Sequence, residues 1–73
     1  MNRYQVKVWF SEEDIENEVS SIEMQGENMD ELVDMAISVY EDIAVAVEVE
    51  NELEELVYHI SPDNVIDNRS NFI

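Results

Sequence analysis

A chain of 73 residues with nineteen acids against three bases, and a formal net charge of −16, has room for one small core, and its charge disfavours nucleic acid and anionic membranes as direct ligands. An apolar share of 45% is too high for a disordered acidic tail, so residues 1–73 are expected to fold as a single domain. Without cysteine there is neither a disulfide framework nor a thiolate metal cluster, and stability must come from the core or from self-association.

Residues 3–10, RYQVKVWF, alternate with period two, which puts Tyr4, Val6, Val8 and Phe10 on one face of a strand and Arg3, Gln5, Lys7 and Trp9 on the other. Two of the three bases thus share an outward face with the only tryptophan. They are expected to pair with acids of the next strand, the competing reading being a contact surface that includes Trp9. The opening residues lack the apolar run of a signal peptide, and no segment approaches the roughly 20 apolar residues needed to cross a bilayer, so a cytoplasmic protein is expected.

In SEEDI, Ser11 with an acid three residues on is able to cap a short helical turn, but the segment is read as a hairpin loop. Residues 16–25 then return as a second strand, with Ser20, Ile22 and Met24 on one face and Val19, Ser21, Glu23 and Gln25 on the other, before Gly26 punctuates the chain.

Residues 27–42, ENMDELVDMAISVYED, have helical periodicity. Met29, Leu32, Val33, Ala36, Val39 or Tyr40, and Ile43 recur every three or four residues as a core-facing stripe, with Asn28 as N-cap. Glu27, Asp30, Glu31, Asp34, Glu41 and Asp42 lie largely off the stripe, and no lysine or arginine accompanies them. The helix dipole favours the first four, repulsion between Glu27 and Glu31 opposes that gain, and Glu41 and Asp42 stand at the unfavourable end.

Residues 43–49, IAVAVEV, alternate again, with Ile43, Val45, Val47 and Val49 on one side and Ala44, Ala46 and Glu48 on the other. A turn at Asn51 and Glu52 lets residues 56–60 return beside that strand. The alternative is a helix over 52–60, for which Leu53, Leu56, Val57 and Ile60 have the spacing and Asn51 with Glu54 the capping box. Pro62 ends this element, and residues 61–73 read as a turn and a C-terminal tail. The expected fold is α+β in ββαββ order, one helix covering an antiparallel sheet, or ββαβα if 52–60 is helical.

Catalytic chemistry is not legible. Paired carboxylates need a cleft that separates their pKa values, and a domain of this size seldom encloses one. His59 lies in an apolar run without a second histidine or a cysteine and reads as structural. The acid-rich loops lack the glycine of a calcium-binding loop, and the NRS triplet at 68–70 reads as chance. No enzyme, metal or cofactor is expected.

In its single-domain length, its lack of cysteine and its acid-rich stretches SEEDIENE, ENMDELVD and EVENELEE, the chain resembles the small acidic proteins that bacteriophages use against host enzymes: DNA mimics, anti-restriction and anti-CRISPR proteins, and uracil-DNA glycosylase inhibitors. The resemblance is of character and not of a motif. It implies an inhibitor that occupies the cationic nucleic-acid-binding surface of a host enzyme or defence effector, acting in the host cytoplasm if phage-encoded. The acids expected to meet the partner's arginines and lysines are Glu12, Glu13, Asp14 and Glu16 in one patch and Glu27, Asp30, Glu31, Asp34, Glu41 and Asp42 in another. The alternative is a non-enzymatic homo-oligomeric accessory or interaction protein whose acidity serves only solubility, dimerising through strand 43–49 with its uncharged second face of Ala44 and Ala46.

Overall fold

The computed structural model describes residues 3–72, apart from the side chain of Glu23. Its elements in chain order are β1 (Tyr4–Trp9), α1 (Glu12–Glu16), β2 (Ser21–Gly26), α2 (Met29–Asp42), β3 (Ala46–Asn51), β4 (Leu56–Ile60) and β5 (Val65–Asp67), followed by a 3₁₀ turn, Arg69–Phe72. Among the described residues the strands form one antiparallel sheet in the order β2-β1-β3-β4-β5. The domain is α+β, with α2 as its one main helix packed on the sheet.

The pleat sorts the residues. Val6 faces Val49 across the β1–β3 ladder and Val8 faces Val47, so one face is a continuous valine surface, onto which α2 lowers Leu32, Val33 and Ala36. Val6, Val8, Val33, Val47, Val49 and Val57 are fully buried. Each contributes on the order of 1.5–3 kcal/mol relative to exposure. The helix begins where expected, with the Asn28 side chain accepting the Glu31 backbone N–H at 3.1 Å. Its apolar stripe ends before Ile43, which leaves the helix axis as C-cap and is 61% exposed.

Several expectations are corrected. Glu12–Glu16 is helical and not a plain hairpin loop: Ser11 is its N-cap, whose hydroxyl accepts the Asp14 N–H at 3.2 Å, and three acids occupy the first turn, where the dipole favours them. The end of α1 is a Schellman motif, in which Glu18 takes the left-handed conformation (φ 57°), its N–H bonds Ile15 O at 3.2 Å, and the Val19 N–H bonds Asp14 O at 2.9 Å. That closure consumes residues 16–20, so the second strand starts only at Ser21. A register shift in the β1–β2 ladder then sets Met24 opposite Val6 but Ile22 opposite Lys7, placing on opposite faces two residues expected on one. Met24 packs on the core and Ile22 is 52% exposed. The expected position of Glu23 in that alternation lies outside the described side chains.

Residues 56–60 form a strand, so the helical alternative for 52–60 does not hold. The Asn51 carboxamide oxygen accepts the backbone N–H groups of Leu53 (3.0 Å) and Glu55 (2.9 Å), and Glu54 supplies the left-handed residue (φ 63°) that closes the hairpin. Nor is the C-terminal segment a simple tail. Ser61 and Asn64 exchange backbone hydrogen bonds around Pro62 and Asp63, Val65–Asp67 pairs with β4, and the Asn68 N–H bonds Val57 O at 2.9 Å. The observed order is therefore βαβαβββ with a 3₁₀ end, and not ββαββ. Finally, the strand expected at 43–49 begins only at Ala46, and β3 lies between β1 and β4 with both edges paired, so it offers no free edge for dimerisation. Among the described residues no helix is long and apolar enough to cross a membrane.

Candidate partner-binding surfaces

The acids predicted as a site fall on two separate elements. On α2, Glu31, Asp34 and Glu41 are exposed and follow one another at spacings of three and seven residues, a stripe continued by Ser38 and opposite the buried Leu32, Val33 and Ala36. From Glu31 to Glu41 this stripe runs about 15 Å along the axis. Glu27, just before the helix, and Asp42, at its end, are also exposed. Glu12, Glu13 and Glu16 are exposed on α1 and Asp14 is half-buried. Glu12 borders the sheet face that α2 does not cover.

Asp30 has a partner within the chain, while its side chain stays 75% exposed. Its carboxylate accepts from Arg69 Nη1 at 3.2 Å, so it meets a base of its own chain. Arg69 also donates from Nη2 to Asp67 at 2.8 Å, and its guanidinium lies 5.8 Å from the centre of the Tyr58 ring. These contacts fasten the C-terminal turn across β4 and the start of α2. Hydrogen bonds from the Arg69 side chain and backbone hold the Asp67 carboxyl below the usual carboxylate range, and the Asp67 side chain in turn raises the Arg69 guanidinium.

The uncovered face of the sheet carries a polar network. Lys7 Nζ lies 3.2 Å from Glu50 Oε1, and Gln5 Nε2 donates to the same oxygen. Glu50 is only 7% exposed, and these two donors are what permit a carboxylate there. Lys7 was expected to pair with an acid of the next strand in sequence; its partner instead comes from β3, which the fold brings alongside β1. Beside this pair, His59 Nδ1 lies 2.8 Å from Glu48 Oε2 and His59 Nε2 lies 3.1 Å from Ser61 Oγ. Both ring nitrogens are engaged, as the structural reading requires. Among the described residues no group of three or more carboxylates and imidazoles is arranged to hold a metal ion.

Next to the network the face opens into a groove of about 570 Å³. Its apolar surface comes from Trp9, Ile15, Val45 and Ala46, and Glu12, Glu18 and Asp63 stand among its charged borders. Trp9 and the Ser11 cap are legible in the sequence but the groove is not, because Ile15 reaches it only when residues 12–16 coil into α1.

The charge surrounding both surfaces is almost wholly uncompensated. Among the described side chains, the ion pairs engage only Asp30, Glu48, Glu50 and Asp67. The Cα framework extends 34 Å by 18 Å by 18 Å, so the net charge of −16 amounts to about one negative charge per 2.1 Å of the long axis. Comparison with known proteins finds no matching family model, no matching curated protein and no matching solved structure.

Proposed function

We propose that the protein is a non-enzymatic inhibitor that occupies the cationic nucleic-acid-binding surface of an enzyme or defence effector, its carboxylates standing where phosphates would. The observation that carries this reading is the linear charge density. Duplex DNA carries about one charge per 1.7 Å of axis, and this chain carries about one per 2.1 Å over 34 Å, a length of roughly one duplex turn. A groove shaped to neutralise DNA by counterion release meets a rigid body of nearly the same charge and length. Rigidity matters here, because acids held on α2 lose little conformational entropy on docking compared with a disordered acidic tail.

The recognition stripe in this proposal is Glu31, Asp34 and Glu41, with Glu27 and Asp42 at its ends; Asp30 is paired with Arg69. The immobilised chain is expected to retain nucleic-acid-binding proteins from its native host, and short duplex DNA is expected to displace them. Glu31→Lys, Asp34→Lys and Glu41→Lys together should lower the association rate about tenfold or more. Raising salt from 0.1 M to 1 M, where the Debye length falls from about 10 Å to about 3 Å, should slow association steeply. The isolated fold should do the opposite and melt at higher temperature as salt screens its own repulsion. Retention that survives both duplex competition and the triple reversal sinks the proposal.

A further inference from the structure

We propose that the groove on the uncovered sheet face receives an arginine side chain presented by a basic protein segment. The site is lined on its apolar side by Trp9, Ala46, Val45 and Ile15, and its volume of about 570 Å³ lies within the usual range of ligand pockets. Its basic groups are already neutralised: Lys7 lies 3.2 Å from Glu50, and His59 lies 2.8 Å from Glu48. Three further acids remain. Glu12 and Glu18 border the groove from either end of α1, and Asp63 borders it from the turn between β4 and β5. None of these three is in an ion pair among the described side chains.

Charge complementarity therefore selects a cation, and the indole in the lining selects which one. A guanidinium is planar, stacks on an indole face, and directs five donors in its plane, so it is able to lie on Trp9 and reach carboxylates on both sides. A lysine ammonium is a strongly hydrated point charge and uses an indole face poorly. A phosphate or an acidic peptide is repelled. A second copy of this chain is a poor occupant, since it brings sixteen net negative charges and, with Lys7 and Arg69 in ion pairs, has only the single arginine Arg3 to offer.

The inference rests on the proposed basic partner for the sign of the charge alone, and it adds a second contact on the side of the sheet away from α2. Trp9 is the only tryptophan, so indole emission reads this groove. The full chain is titrated at 0.1 M salt with tetra-arginine amide, tetra-lysine amide and spermidine. Tetra-arginine should give a saturable change in emission and bind more tightly than the other two. The triple variant Glu12→Gln, Glu18→Gln, Asp63→Asn, its fold checked by circular dichroism, should weaken that binding roughly tenfold. The variant Glu52→Gln, Glu54→Gln, Glu55→Gln removes the same charge from the exposed β3–β4 hairpin, outside both the groove and the α2 stripe, and should leave it within about twofold. Equal weakening by both variants, equal affinity for all three cations, or no change in emission overturns the groove. Failure of the groove with α2-dependent, duplex-competed retention intact leaves the proposed function standing, and the reverse result separates the two in the other direction.

Discussion

The two faces of the sheet are built from alternate residues of the same strands, yet they solve burial in opposite ways. Val49 and Glu50 are chain neighbours on β3, 0% and 7% exposed. Val49 is buried by hydrocarbon from β1 and α2, whereas Glu50 is buried by two donors, Lys7 and Gln5, that reach it from β1. The lesson is that inaccessibility alone does not mark a core position. On the helix-covered face it reflects the hydrophobic effect, which is indifferent to direction. On the other face it reflects specific partners, and the groove lies where that network gives way to Trp9, Ala46 and the acids around them.

The comparison breaks most visibly on the core side. Val49→Asp places a carboxylate without a donor where Glu50 has two. Its cost should exceed the roughly 3–5 kcal/mol that a single core of this size supplies, so circular dichroism should record no cooperative melting. A variant that melts normally would mean that α2 does not seal this face. On the other face the expected effect is smaller and conditional. Lys7→Met leaves Glu50 with Gln5 alone and should cost about 1–2 kcal/mol, discounted because Lys7 keeps some exposure to solvent. Adding Glu50→Met should return stability to within about 1 kcal/mol of the parent, since the pair is then removed as a unit. Denaturant midpoints of the two single variants and the double give the coupling, and additive losses would show that Lys7 and Glu50 act independently.

The smallest expected effect lies at the exposed C-terminal staple, and pH reads it. The folded-state pKa of Asp67 is lowered by Arg69, so the pair's contribution is present above the unfolded value, about 3.9, and is lost as pH falls through the lower folded value. The stability difference between the parent and Asp67→Asn should therefore be present and constant near pH 7 and close below about pH 4. Thermal melts of both proteins across that range measure it directly, and a gap that persists at pH 2 would assign the effect to packing instead of charge.

Where the signal was local it was legible. The alternation in RYQVKVWF foretold β1 and its buried Tyr4, Val6 and Val8, because a strand that buries one face must place every second residue there. Asn28 and the Leu32, Val33, Ala36 stripe foretold α2, and Asn51 foretold the β3–β4 hairpin through hydrogen bonds within four residues of itself. The candidate acids of α2 were equally readable as exposed, since helical spacing sets them opposite the stripe. The Ser11 cap was visible too, but five helical residues have weak propensity support against a competing loop.

By itself, then, the amino-acid order determined the period of β1 and α2, the inward facing of Val6, Val8, Val33, Val47 and Val49, though not that of Val45, which lines the groove instead, and an excess of acids too great for the three bases to neutralise. Those properties follow from geometry within a few residues or from composition. Only the tertiary structure decided that β3 is interior and unavailable for edge pairing, that Ile22 faces outward, that Val65–Asp67 becomes a fifth strand, and that Arg69 meets Asp30. It also decided that Lys7 meets Glu50 and that Trp9 lies in a groove with Ile15, Glu12 and Asp63. The physical reason is common to all of these: each depends on strand order, register or contacts between residues far apart in the chain, and a one-residue shift in register reverses the face on which a side chain lies.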